Sequence, residues 1–185
     1  MKHARNVSKP TIVLIRHGKP LFDDESRYQS GDWPELIRAY DNAGLEAKPK
    51  PASLVADVVF SSDLRRAIET AAALFPSTKC TPDNVFREAA LTTTLPAFAS
   101  GRFGTLAALS RVLWMLGAAS SERYTVASDR ARSAADVLEQ ASVPGRTVVL
   151  VGHGFQNRLI RRELRQRGWR ASGSGGGYLS TVTLV

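Results

Sequence analysis

At 185 residues, 43% of them apolar and 23% charged, the chain has the composition of one globular domain with its own core, not of a disordered or fibrous protein. Its single cysteine, Cys80, excludes an intramolecular disulfide, fits a reducing compartment and reads as a packing residue. The net charge of +8 is unevenly placed: residues 141–185 hold Arg146, Arg158, Arg161, Arg162, Arg165, Arg167 and Arg170 against Glu163 alone. Such an excess suits an anionic substrate, a membrane surface or nucleic acid, or else a solvated helix face.

In chain order, residues 1–10 read as a flexible tail. The tail is basic, but the apolar run after it is only about five residues long, too short for a signal-peptide core. Residues 11–15 (Thr-Ile-Val-Leu-Ile) form a β-branched run of the kind buried on both faces of a parallel sheet. A polar loop follows, then a helix over 34–47, with Pro34 in its first turn and Asp32 as a cap. Lys48-Pro-Lys-Pro51 ends that helix. A second strand is expected over 57–60. A helix reaching Phe75 follows it, capped by Ser62 or Asp63 and burying Leu64, Ala67, Ile68, Ala71 and Phe75. Residues 76–83 read as turn, 85–87 as a short strand and 92–101 as irregular. Helices are expected over 106–116 and 127–140, the first interrupted by Arg111 and unable to span a bilayer. Pro144-Gly145 precedes a strand at 147–151, a helix over 155–167, a glycine-rich loop at 172–177 and a last strand at 178–185. Within helix 155–167, Phe155, Leu159, Ile160 and Leu164 make an apolar stripe, and Arg158, Arg161, Arg162 and Arg165 mostly lie off it.

This alternation predicts an α/β fold, a three-layer α/β/α sandwich with a mostly parallel central sheet, in a single domain over 1–185. Ligands of such sheets bind at the carboxyl ends of the strands. Three strands end in residues that handle phosphate: Arg16-His17-Gly18, Ser61-Ser-Asp-Leu-Arg-Arg66 and Gly152-His153-Gly154. Their convergence defines a chemistry. A neutral histidine can attack phosphorus, and a guanidinium beside it both grips phosphate oxygens and disfavours protonation of the imidazole. Gly18 and Gly154 permit close backbone approach, and the helix N-termini that follow offer N–H groups to an anion. Arg16, Arg66 and His153 would offset charge on a transferring phosphoryl group. A carboxylic acid is needed to protonate the departing alkoxide and later deprotonate water.

At these residues the chain resembles the histidine phosphatase superfamily, the phosphoglycerate mutase-like fold. Arg16-His17-Gly18 is similar to the family's first motif, Ser61 to Ala71 to its second with Arg66 at the phosphate position, and Gly152-His153-Gly154 to its third. The resemblance covers 11 to 185. It implies that His17 is the phosphorylated nucleophile and that Arg16, Arg66 and His153 complete the phosphate pocket. A glycine after His153, where other members have aspartate, implies the branch whose acid lies between the second and third motifs, where Glu88 stands. Glu88 otherwise reads as a surface glutamate. Glu69, the weaker candidate, can pair with a neighbouring arginine, and Arg65 faces outward. Asn157 can cap or can touch substrate.

Lys19-Pro-Leu-Phe22 replaces the acidic and tryptophan-asparagine stretch of the mutases, which favours a phosphatase. The expectation is a metal-independent phosphomonoesterase without cofactor, located in the cytoplasm and acting on a small phosphorylated substrate or binding inorganic phosphate. Two alternatives belong to other classes. One is a catalytically weak member that binds an anionic phospholigand or partner. The other is a mutase-type phosphotransferase. Nucleic acid is not expected, because 158–170 carries no stacking platform or recognised module. Zinc is disfavoured because the three histidines form no ligand cluster. Residues 91–119, with Arg102, Arg111 and Trp114, are expected to cover the site and set substrate choice, and Trp114 reads equally well as core.

Overall fold

The computed structural model describes residues 9–118, 120 and 122–185; most of the expected tail, with His3, lies outside the described residues. The elements are β1 (Thr11–Arg16), β2 (Arg27–Gln29), α1 (Trp33–Asn42), β3 (Val58–Ser62), α2 (Arg65–Leu74), β4 (Cys80–Asp83), β5 (Ser100–Arg102), α3 (Phe103–Met115), α4 (Tyr124–Ala141), β6 (Thr147–Gly152), α5 (Gly154–Gln166), β7 (Ala171–Ser172) and β8 (Thr181–Leu184). Six strands form one sheet in the order β4-β3-β6-β1-β8-β7. β4, β3, β6 and β1 are parallel, and β8 and β7 close the other edge antiparallel. This is the mostly parallel α/β architecture expected from the sequence.

The continuous apolar runs are the reason. Alternate side chains of β1 and β6 enter two different cores. Val13, Ile15, Val149 and Val151 pack with Val59 against Ala67, Ala71 and Phe75 from the α2 side. Ile12, Leu14, Val148 and Leu150 pack against Ala131, Ala134 and Leu138 of α4 and Ile160 and Leu164 of α5. Removing each such Val, Leu or Ile from water contributes about 1.5–3 kcal/mol. A third cluster stands apart, built on Trp33 and Leu36 of α1 and Phe103 and Leu106 of α3. Among the described residues, no helix is long and apolar enough to cross a membrane.

Several local expectations are corrected. α1 stops at Asn42 instead of 47: Gly44 runs close against Glu69, whose carboxylate takes the Leu45 N–H at 2.7 Å, and Leu45 bridges to Pro20. Asp32 does not cap α1 through its side chain, because its carboxylate accepts the Gln29 N–H instead. α2 has Leu64 at its N-cap with no side-chain cap. Ser62 Oγ takes the Leu64 N–H, and Asp63 turns away to pair with Arg87. The short strand expected at 85–87 lies earlier, at Cys80–Asp83, and Asn84–Phe86 is a 3-10 turn held by Asp83. Pro82 disguised that strand, and it is tolerated because β4 is an edge. The last strand begins at Thr181, since Leu179 takes a left-handed turn (φ 58).

Candidate active site

β1, β6 and β3 are adjacent, and their carboxyl ends lie level: Arg16 pairs with Gly152, and Ser61 with Val151. This register brings the three motif segments together. The His17 and His153 rings stand edge to face, 4.9 Å apart and each 1% exposed. Arg66, wholly buried on the first turn of α2, brings Nε within 3.3 Å of His17 Nε2. His17 Nδ1 lies 2.7 Å from the Gly18 carbonyl. A proton on Nδ1 satisfies that contact and leaves Nε2 with a lone pair, the tautomer that Arg66 also favours. Burial first, then the Arg66 charge, and more weakly Arg16, push the His17 pKa down to about 3. His153 is held well below the usual histidine range, by burial and then by His17 and the arginines. Both imidazoles are therefore neutral near neutral pH.

Arg66 is fixed from three sides. It donates to the Tyr40 carbonyl at 2.8 Å and the Asp41 carbonyl at 3.3 Å, pairs with the Asp41 carboxylate at 3.5 Å, and stacks over the Tyr40 ring. Arg16 donates to the Gly176 carbonyl at 2.8 Å and stacks over Tyr178. Its Nε is shut from solvent and has no hydrogen-bond partner among the described residues; the same is true of both nitrogens of His153. Orphaned polar groups of this kind call for an explanation.

Glu88 stands at the N-terminus of α5. Its carboxylate accepts N–H groups from Ala89 (3.0 Å), Gln156 (2.9 Å) and Phe155 (3.2 Å). Arg130 of α4 donates to the carbonyls of Arg87 and Glu88 and makes a two-point pair with Glu122, which in turn takes the Ala90 N–H. Arg111 donates to the Ala89 and Ala90 carbonyls and lies between the rings of Trp114 and Phe155.

Arg16, Arg66, Glu88, Arg111 and Gly154 all line one cavity of about 630 Å³, whose far wall is apolar: Ile37, Leu91, Phe103 and Ala107. The two histidines lie behind that surface. Gly18 does not face the cavity: its N–H goes to Thr70 Oγ1 and its carbonyl to the His17 ring, so it orients the imidazole. Glu69 lies apart, paired with the exposed Arg65. Lys19 pairs with Asp24 and Glu46, and Arg102 with Glu25. Trp114 is core, 2% exposed. Asn157 neither caps the helix nor reaches the main cavity; its amide donates to the Ile15 carbonyl and braces the β1 end. Burial pushes the Cys80 thiol up, as fits a packing residue. Among the described residues, no group of His, Cys, Asp or Glu could hold a metal ion. Sequence reasoning missed Tyr40, Asp41 and Tyr178, which carry no local signal, and Thr70, which sat inside the second motif.

Two neutral histidines and two guanidiniums thus gather at the carboxyl end of a parallel sheet, an arrangement suited to holding a phosphate group. The chain matches the histidine phosphatase superfamily (branch 1) over residues 12–175, and it belongs to that superfamily. No curated protein matches it in sequence. In fold it is similar to mycobacterial glucosyl-3-phosphoglycerate phosphatase complexed with VO3, at 21% identity over 95% of this chain and 92% of that one, with a TM-score of 0.60. It is likewise similar to a protein described as mycobacterial hydrolase 1 (19% identity, 94% and 90% covered, TM-score 0.58). Phosphoserine phosphatase from Entamoeba histolytica, in complex with 3-phosphoglyceric acid, shares 16% identity over 95% of this chain and 90% of that one, with a TM-score of 0.51.

Proposed function

We propose that this single-domain protein hydrolyses a phosphomonoester, without metal or cofactor, through a phosphohistidine on His17. The observation that carries the reading is the set of unpartnered buried nitrogens on Arg16 and His153 beside a neutral His17 whose Nδ1 is tied to Gly18. A phosphate oxygen is the acceptor that the Arg16 Nε–H and the one N–H of neutral His153 suit. Phosphatase names among the structural neighbours agree with hydrolysis.

The steps follow from the geometry. The incoming phosphate takes over the Arg66 N–H now directed at His17 Nε2, freeing that lone pair. Nε2 forms a bond to phosphorus as the ester P–O bond breaks, and Glu88 gives its proton to the leaving oxygen. Arg16, Arg66 and His153 stabilise the equatorial oxygens, and Gly154 lets the phosphoryl group approach the backbone. Nδ1–H, held by the Gly18 carbonyl, spreads the positive charge of the phosphoimidazole. Water then attacks phosphorus, its proton passes to the Glu88 carboxylate, and the P–N bond breaks to release phosphate and neutral His17.

The test mixes wild-type protein and His17→Ala with p-nitrophenyl phosphate, with and without a chelator, quenching in alkali. Chelator-resistant release with an acid-labile protein-bound phosphoryl group, both lost in His17→Ala, is expected. Release retained by His17→Ala overturns the mechanism. Phosphate-dependent thermal stabilisation with neither release nor label would instead identify a phosphate-binding protein.

A further inference from the structure

Beside the main cavity runs a second groove of about 380 Å³, between the first two turns of α5 and the glycine-rich loop before β8. The two spaces adjoin, sharing Arg16, Gly154, Arg158, Gly175 and Gly176 in their linings. Gly173, Gly175 and Gly176, with Ser174 between them, line one side of the groove, and Gly173 admits no side chain: its φ is +92 and an added Cβ would lie 2.5 Å from the Thr181 carbonyl oxygen. The opposite side carries the guanidiniums of Arg158 and Arg161. Neither makes a hydrogen bond or ion pair to any described residue. No acidic residue among the described ones lines the groove. Ser180 Oγ, also in its lining, is shut from solvent with no hydrogen-bond partner among the described residues.

Of the acids near α5, Glu163, Asp136 and Glu139 pair with Arg167 at the far end of the helix, and Glu88 accepts the Phe155 and Gln156 N–H groups at its start. Arg158, Arg161, Arg162 and Arg165 therefore stand as like charges at i,i+3 and i,i+4 spacing, an arrangement that is unfavourable until an anion joins it. Arginine forks match phosphate in both charge and shape.

We propose that this groove is a second phosphate subsite and that the substrate is a small molecule with two phosphate groups, one reacting at His17 and the other held by Arg158 and Arg161. The assignment of the reacting phosphate rests on the function proposed above; the second subsite rests on the groove.

The experiment compares 1,ω-alkanediol bisphosphates, from propane to hexane, with the monophosphates of the same diols, in wild type and in Arg158→Ala/Arg161→Ala. The readout is the ratio of kcat/KM for each bisphosphate to that of its monophosphate. Wild type is expected to favour at least one chain length tenfold or more, and the double variant to bring the ratio near one. A ratio near one at every length in wild type, with monophosphates turned over, overturns the subsite and leaves the phosphatase standing. If no ester is turned over, the phosphatase reading fails, and calorimetry with the same pairs decides the subsite: tenfold tighter bisphosphate binding supports it and equal binding overturns it. Preference for a 5′-phosphorylated oligonucleotide or an anionic vesicle over every bisphosphate, lost in the double variant, overturns the small-molecule assignment.

Discussion

The most direct structural test removes Arg130. Its Nε and Nη2 meet the Glu122 carboxylate at 3.0 and 2.9 Å, with side-chain exposures of 20% and 15%, and it also donates to the carbonyls of Val85, Arg87 and Glu88. Breaking a fully buried pair by deleting one partner costs about 3–5 kcal/mol, because the remaining charge stays desolvated. The residual exposure places this pair near the low end, at about 3 kcal/mol for Arg130→Met. Removing both charges, in Arg130→Met/Glu122→Leu, leaves only the Ala90 N–H and the carbonyls short of partners, a loss of about 1–2 kcal/mol. The double variant should therefore be more stable than Arg130→Met alone. Urea unfolding of the wild type, both single variants and the double closes the cycle. The same change loosens the backbone on either side of Glu88, so kcat on p-nitrophenyl phosphate should fall more than KM rises. A loss below about 1 kcal/mol in Arg130→Met, or strict additivity across the cycle, refutes the argument.

Acid should unfold the protein through its histidines. His17 titrates at about 3 in the fold against 6.5 when free, so the unfolded chain takes up the proton first. The penalty is absent above pH 6.5 and grows as pH falls toward 3, by about 1.4 kcal/mol per pH unit per histidine, with His153 adding in the same sense. Thermal midpoints should fall steadily below pH 6.5, and His17→Asn should show a slope smaller by about one proton; a flat wild-type profile would contradict this. Adjacent arginines should differ sharply: Arg66→Lys is expected to lower kcat/KM by about 10²–10³, whereas Arg65→Lys should stay within about twofold. Steady-state kinetics on folded variants, checked by circular dichroism, decides that contrast. Gly173→Ala should destabilise by about 1–3 kcal/mol, while Gly176→Ala, with open space where its Cβ would stand, should change stability by less than about 0.5 kcal/mol in thermal melts.

The parts of the fold legible in the sequence were those written as local pattern. The runs at 11–15, 57–60 and 147–151 have one stable use, as inner strands, and once these are parallel neighbours His17, Arg66 and His153 must meet. Arg65 reads as facing outward next to Arg66, and it stands exposed, paired with Glu69. What escaped depends on distant chain crossing the site. Tyr40 and Asp41 hold Arg66 because α1 ends above it, and nothing in residues 33–42 announces that. Glu122 and Arg130 reach Ala90 and Glu88 across 32 and 42 residues. Gly18 read as a phosphate contact because glycine suits close approach, yet the hydroxyl of Thr70 claims its N–H. β4 was hidden by Pro82, whose missing donor matters only in a central strand.

The apolar wall of the cavity and its polar base belong to different packing units. Ile37, Leu91, Phe103 and Ala107 pack with the α1–α3 cluster, whereas β1, β3 and β6 draw on the two cores of the sheet. Wall and base meet at Tyr40, which packs on Phe103 and holds Arg66, so substitutions that touch Tyr40 couple to the site and those that do not combine additively. The wall is thus a natural field for randomisation: Leu91 and Ala107 can be diversified to retune which organic group is admitted, while the machinery at the strand ends keeps its stability reserve.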